Sequence, residues 1–248
     1  MTQEAPRTGR QLRWRHDVER AVMRLARLGS LGMEERELVL SLLGPIESMP
    51  TGREIVREMA EGSRAGLIVS GWACRQRLLP DGRRQIFDLL LPGDFIGLAP
   101  AGPLGETWTV CLTRVELADG ETLRRRMAAP EGGTSAISAA FAAMVRLDQL
   151  RLLDHVVRLG RQTAYERAAH LFMELHDRAR SVGLADSGRF PLPLTQEVLA
   201  DCLGLSVVHV NRVLQQLKRE TMIELHGGRA RIIDPQLLAQ ICDFSPAA

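Results

Sequence analysis

The sequence predicts an α+β protein in which helices come first, followed by antiparallel strands, one long helix and a C-terminal helical unit. Three observations predict this order. Turn-forming residues recur at short intervals from Arg53 to Leu123, as between short antiparallel strands. Neither proline nor glycine occurs from Ser135 to Leu159, where apolar residues dominate. Two amphipathic helices meet at a glycine between Thr195 and Leu217. We expect domain boundaries at 1–45, 46–130, 134–160 and 161–248.

The composition is that of a globular chain and excludes a disordered or fibrous one. Of 248 residues, 45% are hydrophobic and 25% are charged. Lys and Arg total 32 against 30 Asp and Glu, which gives a net charge of +2. A local patch must therefore meet any anionic partner. No apolar run approaches the roughly 18 residues of a membrane span. We expect a cytoplasmic protein with no export signal.

The cysteine pattern argues against a metal site. The four cysteines form no CxxC pair, so neither a structural zinc nor a cysteine-ligated cluster is expected. At this chain length, reduced thiols are a better interpretation than a disulfide framework. The sequence predicts no metal and no cofactor. The cysteines are Cys74, Cys111, Cys202 and Cys242.

The first 45 residues favour two helices. Apolar residues recur at helical spacing in the first, and the second runs from Glu34 to Leu43, before Gly44-Pro45. The stripe of the first helix comprises Trp14, Val18, Val22, Leu25 and Leu28. The arginines around its start are Arg7, Arg10, Arg13 and Arg15. They would form a solvated face or, alternatively, touch nucleic acid or a membrane.

The strand region contains a clear hairpin signal. Asp81-Gly82 separates the stretches Trp72–Leu79 and Arg84–Leu91, and these two residue types tolerate positive φ. Many short strands at such spacing predict an antiparallel sandwich or barrel.

The long helix from Ser135 to Leu159 has two apolar faces and should end at Gly160. The first face shows heptad spacing, the geometry of a two-helix seam. Its members are Phe141, Val145, Asp148, Leu152, His155 and Leu159. The second face comprises Ile137, Met144, Leu147, Leu150, Leu153 and Val157. One face could pack on the chain's own domain while the seam meets a second copy. A helix wholly buried within one domain is the alternative. A further helix is expected from Thr163 to Ala179, and an edge strand at Phe190, Leu192 and Leu194.

The segment Thr195–Leu217 has the helix-turn-helix pattern. Thr195 can cap the first helix, Gly204 supplies a left-handed turn and Ser206 can cap the second helix. Small Ala200 fits a steep helix crossing. Leu199, Leu203, Leu205, Val210 and Val213 would fill the space between the helices. The pattern predicts binding to double-stranded DNA, with the second helix in the major groove.

The residues expected to contact DNA lie on the second helix and on a following hairpin. Arg212 can pair with guanine, Asn211 or His209 can reach base edges or phosphate, and two valines offer methyl contacts. The helix residues are Ser206, Val207, Val208, His209, Asn211 and Arg212. Arg229 and Arg231, on a glycine-tipped hairpin, would lie against phosphates. Six cations stand against five anions from Arg189 to Asp234, so affinity should rest on local contacts and dimerisation.

From about residue 30 to 235 the chain resembles the Crp/Fnr family of bacterial transcription regulators. The most specific stretches are GWACRQRLLPDGRRQIFDLLLPGDFIG, from Gly71 to Gly97, and LTQEVLADCLGLSVVHVNRVLQQL, from Leu194 to Leu217. The resemblance implies an N-terminal double-stranded β-roll like a cyclic-nucleotide-binding domain, a long dimerisation helix and a C-terminal winged helix-turn-helix. It also implies a homodimer that binds a palindromic site, with RNA polymerase as a candidate partner.

The sequence departs from the family pattern at the effector site and in the recognition helix. Members that bind cyclic nucleotides carry Gly-Glu-Leu after Gly-Asp-Phe, whereas here Leu98 follows Gly97 and the glutamate is missing. Those members also carry an arginine that clamps the phosphate, and Glu106 stands at its position here. Residues 1–73 lack the cysteines of the iron-sulfur branch. Val208 replaces a frequent glutamate, whereas Arg212 keeps the family's arginine position. Any effector pocket would include Gly97, Leu98, Glu106, Thr107 and Trp108.

Several alternatives stay open from sequence. Either an effector other than a cyclic nucleotide binds near Leu98–Val110, or the protein has no effector. The helix-turn-helix reads DNA, or the chain is a ligand-sensing or protein-interaction module with a non-reading helix pair. An enzyme is disfavoured because no nucleophile elbow or P-loop is present. His170, His176 and Asp177 share one helix, but i, i+6 spacing puts the two histidines on different faces.

Overall fold

The computed structural model describes residues 9–57, 64–97, 107–128 and 136–246. Its N-terminal helices are α1 (Gly9–Gly29) and α2 (Met33–Leu42), as the apolar spacing predicts. The side chains of Val18, Val22 and Leu25 are buried. Arg15 pairs with Glu19 at 3.0 Å on an exposed face. Arg7 and the side chains of Arg10, Arg13 and Trp14 lie outside the described part.

Antiparallel strands follow and confirm the predicted β domain. The strands are β1 (Ile46–Met49), β2 (Glu54–Arg57), β3 (Gly66–Ser70), β4 (Ala73–Leu78), β5 (Arg84–Leu90), β6 (Phe95–Ile96), β7 (Trp108–Cys111) and β8 (Val115–Asp119). One sheet has the order β1-β8-β3-β6 and another has the order β2-β7-β4-β5. β4 and β5 form the hairpin predicted at Asp81-Gly82, where Gly82 adopts a φ of 86°.

Helix α3 (Glu121–Ala128) was not expected from the sequence. The Asp119 carboxylate accepts a hydrogen bond from the Glu121 amide at 2.8 Å, which satisfies a free donor of the first turn. Glu121 then pairs with Arg124 and Arg125, three and four residues later. The acidic first turn and basic last turn are the local signals that indicate this helix.

Helix α4 (Ala136–Arg161) includes Gly160 and ends at the next residue, within one residue of the predicted end. Helix α5 (Ala164–Ser181) begins only four residues beyond Gly160. Thr163 and Glu166 form a reciprocal capping box at its start. The link between α4 and α5 is therefore short.

The C-terminal part contains β9 (Arg189–Pro191), α6 (Gln196–Leu203), α7 (Val207–Arg219), β10 (Ile223–His226), β11 (Arg229–Ile232) and α8 (Pro235–Cys242). Its sheet has the order β10-β11-β9, so β9 is the edge strand that the sequence predicts. Helix α8 was not predicted. Asp234 caps it by accepting from the Leu237 amide at 2.9 Å, and Pro235 occupies its first turn.

The C-terminal helices pack directly on the β domain. One continuous core joins Cys74 and Ile86 of the strands, with Trp72 just before β4, to Phe172 of α5 and Leu199 of α6. This shared core places α6 and α7 beside the β4–β5 hairpin. Within the described ranges, no helix is both long enough and apolar enough to cross a membrane.

Candidate nucleic-acid interface

Helices α6 and α7 form the predicted helix-turn-helix. The Thr195 hydroxyl accepts from the Val198 amide at 3.2 Å and starts α6. Gly204 ends α6 with φ 63° and ψ 37°, the left-handed conformation expected there. The Ser206 hydroxyl accepts from the His209 amide at 3.2 Å and starts α7. Three local signals thus fix the angle between the two helices.

Apolar side chains fill the space between α6 and α7, as expected. Ala200 is 5% exposed, and a larger residue would push the helices apart. Leu205 is half-buried at the turn. The buried residues are Leu199, Leu203, Val210 and Val213.

We expect Gly204→Ala to destabilise the fold by about 1–2 kcal/mol, the cost of a left-handed conformation for a residue with Cβ. That Cβ would also lie 3.2 Å from Leu159 Cδ2. Chemical denaturation measures the effect. Gly160→Ala is the matched control, because its added Cβ meets no atom within 4 Å. Equal changes in the free energy of unfolding would contradict this account of the turn.

The exposed face of α7 carries the predicted DNA contacts. Val208 is 81% exposed and Val207 is 40% exposed, while Asn211 and Arg212 are also exposed. His209 is only half-buried, so part of its ring stays accessible. The face continues one turn further at Gln215, which helical spacing could have indicated.

A hydrogen bond links the two helices at this surface. Asn211 Nδ2 donates a hydrogen bond to Oε1 of Gln196 at 3.3 Å, and Gln196 is the first residue of α6. The bond leaves the Asn211 carbonyl oxygen available as an acceptor. Gln196 was not among the predicted contacts.

Strands β10 and β11 form the wing. Gly227 and Gly228 adopt φ values of 55° and 71° at its tip, as the glycine pair predicts. Arg229 is exposed beside the tip. Arg231 is half-buried and lies 3.5 Å from Glu224 on the neighbouring strand. Of the two wing arginines predicted to contact phosphates, Arg229 is therefore the more accessible.

Helix α4 presents a broad apolar face to solvent. Leu153 is 61% exposed, although leucine is normally buried. Five further residues share the exposed face: Val145, Leu150, Leu152, Val156 and Val157. An exposed apolar patch of this kind marks a protein–protein contact.

The predicted seam on α4 needs correction at two positions. Phe141 is 2% exposed and contacts Phe95 edge to face, and His155 is 6% exposed. Both pack inside their own subunit, so neither is available to a second copy. Asp148 pairs with Arg151 at 2.9 Å, and Leu159 lies beside Gly204. The exposed face is thus rotated from the predicted seam by about one residue, or about 100°.

A polar contact fixes α6 against the β4–β5 hairpin. The Arg84 guanidinium pairs with the Asp201 carboxylate. Gln85 Nε2 donates to the Asp201 carbonyl at 2.8 Å. The hairpin also lines a cleft of about 700 Å³ together with Ser206 and Val207, at the start of α7. The β domain therefore contacts the helix-turn-helix directly.

The predicted effector pocket is only partly described. Gly97 follows β6 with a φ of 64°, and a Cβ there would lie 2.1 Å from the Arg64 carbonyl oxygen. Thr107 and Trp108 are half-buried at the start of β7. Leu98 and Glu106 lie outside the described residues, so the pocket stays a prediction.

His155 lies at the junction of α4, α5 and β5. Its Nε2 is 3.5 Å from Gln85 Nε2. Burial and, secondarily, the charge of Arg158 lower the pKa of His155 to about 4. Burial raises the pKa of nearby Glu174, but the positive charges of Arg158 and Arg178 have a larger effect and lower this pKa to about 2. A neutral imidazole is thus held among paired charges.

The free energy of unfolding should fall as the pH drops from about 6.5 to about 4. In that pH window the unfolded chain binds a proton at His155, whereas the folded chain does not. This difference lowers the free energy of unfolding by about 3 kcal/mol at most. Thermal unfolding of His155→Gln should show a flatter pH profile than the wild type. His226→Gln, on the exposed wing, is the control. Parallel profiles for His155→Gln and the wild type would refute this role.

Comparison with known proteins agrees with this architecture. A model described as the Crp-like helix-turn-helix domain matches residues 166–241. Another, described as the cyclic nucleotide-binding domain, matches residues 46–119. A β domain, a long helix and a winged helix-turn-helix in this order define a DNA-binding transcription regulator.

Individual relatives cover most of the chain. The transcriptional activatory protein AadR of Rhodopseudomonas palustris is 30% identical over 242 residues, 90% of this chain and 91% of the relative. The nitrogen fixation regulation protein FixK of Rhizobium meliloti is 31% identical over 193 residues, 77% of this chain and 84% of the relative. The structure of FixK2 from Bradyrhizobium japonicum has a TM-score of 0.68 at 27% identity, and covers 82% of this chain and 98% of that one.

The chain belongs to the Crp/Fnr family of transcription regulators. It is a DNA-binding transcription regulator, a homodimer on a palindromic site fits its family, and that family is one of transcription regulators and not of enzymes. The two histidines of α5 point to different sides of the helix, as their i, i+6 spacing predicts. His170 contacts Phe244 and His176 contacts Phe190, on different faces of the helix.

Proposed function

We propose that each subunit reads one half-site through the exposed face of α7. The observation that carries this proposal is the exposure of Val208, Asn211 and Arg212 on one side of a helix whose other side is buried. Arg212 would pair with a guanine, and Val207 and Val208 would contact thymine methyl groups. Arg229 on the wing would contact a phosphate and set the register of the helix.

The two subunits would meet through the exposed face of α4. Val145, Leu152, Leu153 and Val156 follow one another at steps of seven, one and three along this face. Such positions fit a two-helix seam. Burial of these side chains would supply the free energy of association. The two α7 helices would then face half-sites about one helical turn apart.

We further propose that DNA binding needs no effector. The helix-turn-helix already shares a core with the β domain, and Arg84 and Gln85 both contact Asp201. No arginine occurs between Arg84 and Arg114 to clamp a cyclic-nucleotide phosphate. These contacts within the chain would hold the helix-turn-helix on the β domain, so a ligand would not be needed to dock it.

Activation of transcription through RNA polymerase is the proposed consequence of binding. One relative is named a transcriptional activatory protein and another a transcriptional activator protein, and both names support activation. The proposed DNA and polymerase partners would place the protein in the cytoplasm.

Selection of bound DNA from a random library tests the proposal. Purified wild-type protein, with no ligand added, is expected to recover a palindrome. Random recovered sequences from a folded dimer at low salt would contradict binding without an effector. If cyclic AMP then restored selection, the helix-turn-helix would still be a reader. If it did not, the interaction module would be the better account.

A further inference from the structure

The buried carboxylate of Asp94 lies where four parts of the chain meet. Asp94 is 3% exposed and follows β5 in the β domain. One oxygen accepts from Arg24 of α1, and the other accepts from Arg178 of α5 at 2.7 Å. Arg151 of the α4 helix lies 3.8 Å from the first oxygen. One side chain thus contacts the N-terminal helix, the dimer helix and the first helix of the DNA-binding domain.

Arg178 is the residue through which the DNA-binding domain contacts Asp94. Its guanidinium also donates to the Leu89 carbonyl at 2.5 Å and to Glu174 at 3.1 Å, and it lies 3.5 Å from Asp88. The side chain is 6% exposed. Any rotation of α5 on the β domain must withdraw a buried guanidinium from several oxygens at once. Removing one partner of a buried ion pair is strongly unfavourable, so the junction resists intermediate orientations.

We infer that Asp94 is a positioning residue that sets the orientation of each DNA-binding domain on the dimer helix, and thereby the spacing of the two recognition helices. Helix α5 follows α4 after two residues, and the two helices share this one carboxylate. The orientation of α5 determines that of α6 and α7, because all three share one core. Loss of the Asp94 contacts would leave each helix-turn-helix folded but would allow the angle between the two recognition helices to vary.

The inference rests on the proposed dimer that reads a palindrome. It predicts an effect on spacing and not on the half-site itself. One added base pair between half-sites moves them apart by about 3.4 Å and rotates them by about 35°. A rigid dimer should therefore lose about tenfold or more in affinity, because only one subunit then binds well.

The experiment measures binding of full-length dimers to three duplexes: the palindrome, the palindrome with one inserted base pair, and a single half-site. Asp94→Asn keeps the shape but removes the charge, and is expected to reduce the spacing preference to about threefold or less. Its affinity for the single half-site should stay within about twofold of the wild type. Asp81→Asn is the matched control, since Asp81 is an exposed carboxylate of the same β domain that pairs with Arg83.

Arg178→Lys provides a second variant in case Asp94→Asn does not fold. Lysine keeps the cation near Asp94 but loses the planar set of donors that reaches several oxygens. It should show the same loss of spacing preference while light scattering still reports a dimer. Wild-type spacing preference in folded variants would overturn the role of Asp94. A wild type that binds the palindrome no better than one half-site would instead refute the proposed function.

Discussion

Arg212→Ala is expected to lower the affinity of the dimer for its palindrome by about 30-fold or more. A bidentate arginine–guanine contact contributes about 1–3 kcal/mol, and the dimer makes it twice. Arg212 is exposed in the second turn of α7, near the N-terminal end that enters the major groove. Fluorescence anisotropy with the palindrome and with a scrambled duplex measures the effect.

The scrambled duplex separates base reading from phosphate contact. Loss of one phosphate contact should weaken binding to both duplexes about equally. Arg180→Ala is the matched control, because Arg180 is a 67% exposed arginine on α5 that pairs with Asp177. Equal losses on both duplexes would make Arg212 a phosphate ligand. No loss on either duplex would remove it from the interface.

The double substitution Leu152→Glu with Val156→Glu is expected to produce monomers. Two carboxylates per subunit would enter the seam, where burying an unpaired charge is strongly unfavourable. The affinity for the palindrome should then fall by about 10²-fold or more, because the two subunits no longer bind as one unit. Light scattering reports the mass, and anisotropy reports the affinity.

Met33→Glu is the control for the change from an apolar to a charged residue. Met33 is 82% exposed on α2, outside the exposed residues of α4, and its substitution should leave the dimer intact. Persisting dimers of the double variant would place the subunit contact elsewhere. Dissociation of Met33→Glu as well would show that the assay responds to charge alone.

The helix-turn-helix was predictable because its signals are local. The hydroxyls of Thr195 and Ser206 accept from amides three residues later, and Gly204 itself adopts the left-handed turn, so their spacing alone sets both helices and the turn. The same holds for the hairpin at Asp81-Gly82 and for the glycine-tipped wing. Helix α8 had an equally local signal in Asp234-Pro235.

The orientation of α4 was harder to predict because apolar residues occur on most of its circumference. Heptad spacing identified a stripe through Phe141 and His155, but packing on α1 and on the β domain buries that side. Which apolar stripe faces solvent depends on tertiary contacts that spacing does not contain. The predicted seam therefore shares Val145 and Leu152 with the exposed face, while the centre of that face lies about one residue position away.

The junction at Asp94 had no sequence signal. Arg24 lies 70 residues before Asp94 and Arg178 lies 84 residues after it. Single charged residues at such separations are indistinguishable from solvated ones until the fold brings them together. The contact of Arg84 with Asp201, 117 residues apart, was missed for the same reason.

The mass and affinity of the complex with the selected palindrome test the central claim most directly. Sedimentation of the purified complex is expected to show two chains per duplex. Scrambling one half-site should lower the affinity by about 10²-fold, because one recognition helix then loses its specific contacts. One chain per duplex, with equal affinity for the intact and the half-scrambled site, would contradict a homodimer that reads a palindrome through α7.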